Sequence, residues 1–200
     1  LKTSLSFSQL MMKAKSTAQV LFDLGIKPGD RVGICMSKSV DQIISILSIL
    51  YVNAIFVPIL PALKRDSIIH IINDSGMVAI ITDDSRLVEI KSFENLVKIF
   101  KGSGSIDDNY PNLPYFSDHC LSDNLPKFDR IGFDIAAIIY SSGSTGRPKG
   151  IMVTHRNLAD GARIVALYLD TVESDRIAAL LSFNFDYGLN QLWQSLLTGA

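Results

Sequence analysis

Residues Ile138 to Gly150 run Ile-Ile-Tyr-Ser-Ser-Gly-Ser-Thr-Gly-Arg-Pro-Lys-Gly, and their chemistry is that of an anion-binding loop. Four hydroxyls (Ser141, Ser142, Ser144 and Thr145), three glycines, Arg147 and Lys149 follow an apolar run. Glycine lets the backbone turn tightly, and consecutive N–H groups in such a turn form a concavity for anions. The hydroxyls can donate to phosphate oxygens, and Lys149 adds positive charge. The Walker A pattern GxxxxGK[ST] does not describe the segment. Counted from Gly143, position 148 is proline where glycine is required, and position 150 is glycine where Ser or Thr is required. Pro148 fixes φ and removes an N–H, so this loop has a different shape. A Ser/Gly linker would not sit between two strongly apolar segments.

Two further segments carry groups that could complete a site. Thr154 precedes a helical pattern starting near His155, which fits either an N-cap or a direct role at the site. His155 fits a histidine that orders the loop by hydrogen bonds. Ser182 to Leu189 lies between a predicted strand and a helix, and loops at the carboxyl ends of parallel strands are where ligands bind in such sheets. Asp186 there could pair with a substrate ammonium or cap the helix near Leu189. Phe185 and Trp193 could line an apolar pocket or belong to plain core.

The surrounding pattern says what must position these groups. Leu10, Ala14, Thr17, Ala18, Leu21 and Leu24 recur at helical spacing, Gly25 stops the helix, and Lys27 to Asp30 form a turn. Arg31 to Met36 reads as a strand buried on both faces, Ile43 to Tyr51 as an apolar helix, and Ala54 to Pro58 as a strand with its proline at the end. A helix over Arg65 to Ser75 closes at Gly76, and Met77 to Thr82 is again a strand. Residues 83–100 hold a helix or strand around Leu87 to Phe100. About 101–130, punctuated by Pro111, Pro114 and Pro126, reads as a long irregular surface connection. Then come a strand at Ile135 to Tyr140, a short strand at Gly150 to Val153, a helix at Arg156 to Tyr168, a strand at Arg176 to Leu181 and a helix at Leu189 to Leu197. Such alternation predicts an α/β fold, a mainly parallel sheet flanked by helices.

Composition narrows the function classes. Apolar residues make up 48% of the 200, charged residues 20%, and the net charge is −1. That is ample for a buried core, and nothing points to nucleic acid or an anionic membrane as partner. Cys35 and Cys120 form no CxxC pair, and His70, His119 and His155 are scattered, so neither a zinc site nor a disulfide scaffold is expected. A reducing, cytoplasmic setting follows from that usage. Between Asp41 and Lys64 no residue is charged, but Asn53, Pro58 and Pro61 favour a buried helix and strand over a membrane span.

The loop resembles the signature of the acyl-adenylate-forming (AMP-binding) superfamily, approximately YTSG[ST]TGxPKG, with Ser141 where threonine is common. That superfamily includes acyl-CoA synthetases, adenylation domains of nonribosomal peptide synthetases, and luciferase. Leu5 to Leu10 is similar to the family's LTYxEL opening, Leu50 to Pro58 to LKAGxxYVPL with Asn53 near the glycine, and Val153 to Leu158 to VxxTHxNL. Ser182 to Leu189 is similar to the acyl-pocket segment. CoA synthetases often carry PxFHxxG there, and amino-acid-activating members carry FDxS. Phe185-Asp186-Tyr187-Gly188 shares features of both.

The resemblance implies an ATP-dependent ligase. A carboxylic acid attacks the α-phosphate to give acyl-adenylate and pyrophosphate, and a thiol of coenzyme A or of carrier-protein phosphopantetheine then takes the acyl group. An acyl-CoA synthetase of fatty acid metabolism is the first expectation, an amino-acid-activating domain or a non-catalytic nucleotide-binding module the alternatives. Ser141, Ser142, Gly143, Ser144, Thr145, Gly146 and Lys149 would bind the ATP phosphates with Mg²⁺ bridging them. Phe185, Asp186 and Gly188 would border the acid, while Thr154 and His155 order the loop. The family's adenine-contacting aromatic, ribose aspartate, hinge and late catalytic lysine do not appear in these 200 residues. The expectation is therefore a partial N-terminal AMP-binding domain over 1–200 without its C-terminal domain, holding no catalytic residue and inactive alone.

Overall fold

Among the described residues, alternation of strand and helix is realised as a six-stranded sheet with helices on both faces. The computed structural model describes residues 4–94, 97–103, 113, 129–141 and 147–200. Helix α1 (Phe7–Asp23) opens with a reciprocal box in which the Ser6 hydroxyl accepts the Gln9 N–H and the Gln9 carboxamide accepts the Ser6 N–H, satisfying donors the first turn leaves free. There follow β1 (Arg31–Cys35), α2 (Val40–Tyr51), β2 (Ile55–Pro58), α3 (Arg65–Ser75), β3 (Ala79–Asp83), α4 (Asp84–Ile90) and β4 (Lys98–Ser103). The later elements are β5 (Ile135–Ser141), β6 (Lys149–Thr154), α5 (His155–Tyr168) and α6 (Asp186–Thr198).

Strand order is β4-β3-β1-β2-β5-β6. The first four pairings are parallel, while β5 and β6 form an antiparallel pair. The sheet is thus mainly parallel, as expected, with one antiparallel pair at an edge, where a connection of a few residues can join antiparallel neighbours but not parallel ones. Side chains alternate across the sheet. Ile34, Phe56, Ile81 and Ile139 join α1, α2 and α6 in one cluster, while Cys35, Val57 and Ile80 join α3 and α4 in the other. Each fully buried Ile or Phe contributes roughly 1.5–3 kcal/mol.

The uncharged stretch after Asp41 is α2 followed by β2, joined by a turn in which Asn53 adopts φ +57°, the left-handed region that asparagine tolerates. No helix among the described residues is long and apolar enough to cross a membrane. Strand β4 extends to Ser103, into the region expected to be irregular. Leu113 is buried, and 104–112 and 114–128 lie outside the described residues. Residues 176–181 are not a strand. Leu180 N–H donates to the Ala178 carbonyl at 2.9 Å, and Leu180 is 86% exposed. The apolar pattern suited a strand, but no described strand lies beside it to complete a ladder.

Cys35 is buried, and burial pushes its thiol up to about 12. A thiol so placed stays protonated and shielded. In a Cys120→Ser background, a water-soluble thiol reagent at pH 8 should label Cys35 at least about 100-fold more slowly in the folded than in the denatured protein. Rapid native labelling would contradict this burial.

Candidate functional site

Strand β5 carries the chain out of the core to Ser141, and the ladder brings it back at Lys149. Ser141 and Lys149 are partners in the β5–β6 register, and both are exposed. The hairpin thus sets a hydroxyl and a primary amine side by side at the two ends of the glycine-rich loop. Ser142, Gly143, Ser144, Thr145 and Gly146 lie outside the described residues.

Each loop end is attached to α3. The Tyr140 hydroxyl donates to the Asp74 carboxylate at 2.6 Å, and burial together with this carboxylate pushes the phenol well above its usual range. The His70 ring donates from Nε2 to the Pro148 carbonyl at 2.9 Å. Gly150 faces Tyr140 across the ladder, where a Cβ would stand 3.1 Å from the phenol ring and 2.8 Å from Ile138. A side chain at 150 would therefore press on both the phenol and Ile138.

Thr154 is the N-cap of α5. Its hydroxyl oxygen accepts the Asn157 N–H at 3.1 Å, and the Asn157 side-chain oxygen accepts the Thr154 N–H at 3.0 Å. Of the two roles open to Thr154, the structure displays the cap. His155 is half-buried beside Arg130 and Asp134. Burial lowers its pKa, the Arg130 cation adds to this, and Asp134 opposes it. The segment is anchored by backbone, with His155 N–H donating to the Asp134 carbonyl at 3.0 Å and Arg156 N–H to Gly132 at 2.8 Å.

Asp186 is the first residue of α6, not its cap. Phe185 takes the cap position and supplies no side-chain bond. The Asp186 carboxylate remains exposed and borders a cavity of about 450 Å³ between the β5–β6 pair and helices α5 and α6. Ile139, Met152 and Leu158 give this cavity apolar walls, and Asn190 and Trp193 also line it. The Asn190 side-chain oxygen and the Trp193 Nε1–H are buried without a hydrogen-bond partner among the described residues. Polar atoms so placed are costly unless something pairs with them. Trp193 also tilts against Phe56, ring centres 6.3 Å apart. Phe185, in contrast, is 49% exposed and is not among the residues lining this cavity.

Gly188 is needed for close packing. A Cβ there would fall 1.9 Å from the Ser182 carbonyl oxygen. The same turn is held from the far end of β1. Lys38 donates to the carbonyls of Ala179 and Leu181, the latter at 2.5 Å, and its ammonium lies 4.5 Å from the centre of the Phe183 ring. Lys38, His70, Asp74 and Asn190 were not candidates on sequence grounds. Single polar residues in loops and helices give no spacing signal. Asn190 alone could have been found, as the residue one helical turn beyond Asp186.

The arrangement offers a hydroxyl and an amine paired across the β5–β6 ladder, and an apolar cavity bordered by a carboxylate and by a donor and an acceptor that have no partner among the described residues. Proteins of known function share the frame. The chain is 32% identical over 197 residues to a component of the linear gramicidin synthase of Brevibacillus parabrevis, covering 98% of this chain and 4% of that protein. It superposes on a long-chain-fatty-acid-CoA ligase of Archaeoglobus fulgidus with a TM-score of 0.87 at 25% identity, covering 100% of this chain and 39% of the ligase. An anthranilate CoA ligase in complex with anthranoyl-AMP gives 0.87 at 26% identity, covering 97% and 38%. The chain thus spans a small part of the first relative and about two fifths of each of the two ligases. The model of the AMP-binding enzyme family matches residues 1–200, and the chain belongs to that family.

Proposed function

We propose that this chain is the phosphate-binding and acid-binding part of an ATP-dependent, AMP-forming carboxylic acid–thiol ligase. In that reaction a carboxylate oxygen bonds to the α-phosphorus of ATP as the bond to pyrophosphate breaks, and a thiol then displaces AMP from the acyl group. Juxtaposition of Ser141 and Lys149 across the ladder carries the reading, because a triphosphate needs donors and a cation converging from both ends of one loop. Ser142 to Gly146 would complete the cradle. Mg²⁺ would neutralise phosphate charge.

The cavity favours an amino acid over a plain fatty acid. A carboxylate on the rim of an apolar cavity is placed to meet an ammonium, and the 32% identical relative belongs to a gramicidin synthase. The acceptor would then be phosphopantetheine on a carrier protein. The alternative, an acyl-CoA synthetase, is supported by the two CoA ligases that superpose on the chain. An ATP–pyrophosphate exchange screen of the full-length protein against amino, aryl and fatty acids tests both. Asp186→Asn should lower kcat/KM for the best amino acid about tenfold and leave its des-amino analogue within about twofold, the scale of one charge-assisted hydrogen bond at a part-exposed site. Exchange with fatty acids alone, unaffected by Asp186→Asn, would reverse the assignment.

A further inference from the structure

We infer that His70 and Asp74 of α3 are positioning residues that fix both ends of the phosphate loop; the inference rests on the function proposed above. Tyr140 immediately precedes Ser141, and Pro148 immediately precedes Lys149. The residues adjacent to the two groups assigned to phosphate are therefore the ones α3 holds, Tyr140 through Asp74 at 2.6 Å and Pro148 through His70 at 2.9 Å. Positions 70 and 74 lie one turn apart on the same helix face, the spacing that lets two side chains reach neighbouring strands.

The two bonds suit their partners chemically. Proline has no N–H, so its carbonyl is the one backbone group by which the chain can be held there. Phenol to carboxylate is a charge-assisted bond of the stronger kind. Gly150 keeps the Tyr140 ring's position free of a Cβ. Helix α3 is itself a firm support. Ile68, Ile71 and Ile72 are buried against the sheet, and the Arg31 guanidinium of β1 donates to the carbonyls of Ser75 at 2.9 Å and Gly76 at 2.5 Å. Ser141 and Lys149 lose freedom when they engage a ligand, and holding the residues beside them beforehand reduces that loss.

The test uses the full-length protein and two readouts, equilibrium binding of Mg-ATP and ATP–pyrophosphate exchange. His70→Ala, Asp74→Ala and the near-isosteric Tyr140→Phe should each raise the Kd and KM for Mg-ATP about three- to tenfold, the scale of one hydrogen bond, with KM for the acid changed less than about twofold. His70→Gln, which keeps a donor, and Asp74→Asn, which keeps an acceptor, should recover most of the loss. Unchanged Mg-ATP affinity in His70→Ala and Tyr140→Phe overturns the inference, as does an equal rise in both KM values with a lowered Tm. If Lys149→Ala weakens Mg-ATP binding while those variants do not, this inference alone fails. If Lys149→Ala also binds normally, the phosphate-loop assignment fails with it.

Discussion

Lys149→Ala in the full-length protein should lower kcat/KM for ATP in pyrophosphate exchange by about 10²–10³, the usual cost of removing one positioned group that stabilises developing charge. Lys149 opens β6 and pairs with Ser141, and its exposed side chain belongs to neither core cluster. The fold therefore has little use for the amine, and the variant's stability should stay within about 0.5 kcal/mol of the parent. Lys149→Arg should recover part of the activity, since a planar guanidinium keeps the charge but not the compact geometry. Full turnover in Lys149→Ala would sink the assignment of this loop. Lost turnover with a lowered Tm would mean the residue acts on the fold.

Gly188→Ala should be the most damaging single-methyl change near the site. The added carbon would stand 1.9 Å from the Ser182 carbonyl oxygen and 2.6 Å from its carbon. Both are backbone atoms, so no rotamer change relieves the clash. The first turn of α6 must retreat from the 182–185 turn, and Asp186 moves with it. A cost of about 3 kcal/mol is expected, at the upper end for overpacking, or roughly 6–12 °C in Tm for a chain of this size. Gly161→Ala is the matched control. Its nearest neighbour, the Asn190 amide nitrogen, would be an ordinary 3.4 Å away, and within α5 alanine is favoured over glycine by about 1 kcal/mol. Thermal melts of the two variants should therefore diverge. A Gly188→Ala protein that melts with the parent would show that the two turns are less tightly joined than this spacing requires.

Sequence resemblance implies a place for Gly188 beside the acid, and the geometry adds a packing duty, since a Cβ there would meet the Ser182 carbonyl oxygen at 1.9 Å. Asp186, either a cap or a pocket residue in the sequence, is no cap in the structure and borders the cavity. Phe185, expected at the pocket, faces largely outward, because it occupies the extended cap position from which α6 begins.

From the sequence alone came whatever is encoded by neighbours along the chain. The helix and strand periods, the stops at Gly25 and Gly76, the Thr154 cap and the composition of the glycine-rich loop all belong here, because propensity, capping and local hydrogen bonding act within a few residues. Tertiary structure decided the rest. It left 176–181 without a ladder, and joined His70 to Pro148 and Asp74 to Tyr140 across 78 and 66 residues. Such contacts depend on how elements stack and which edges are available, and no local pattern records that.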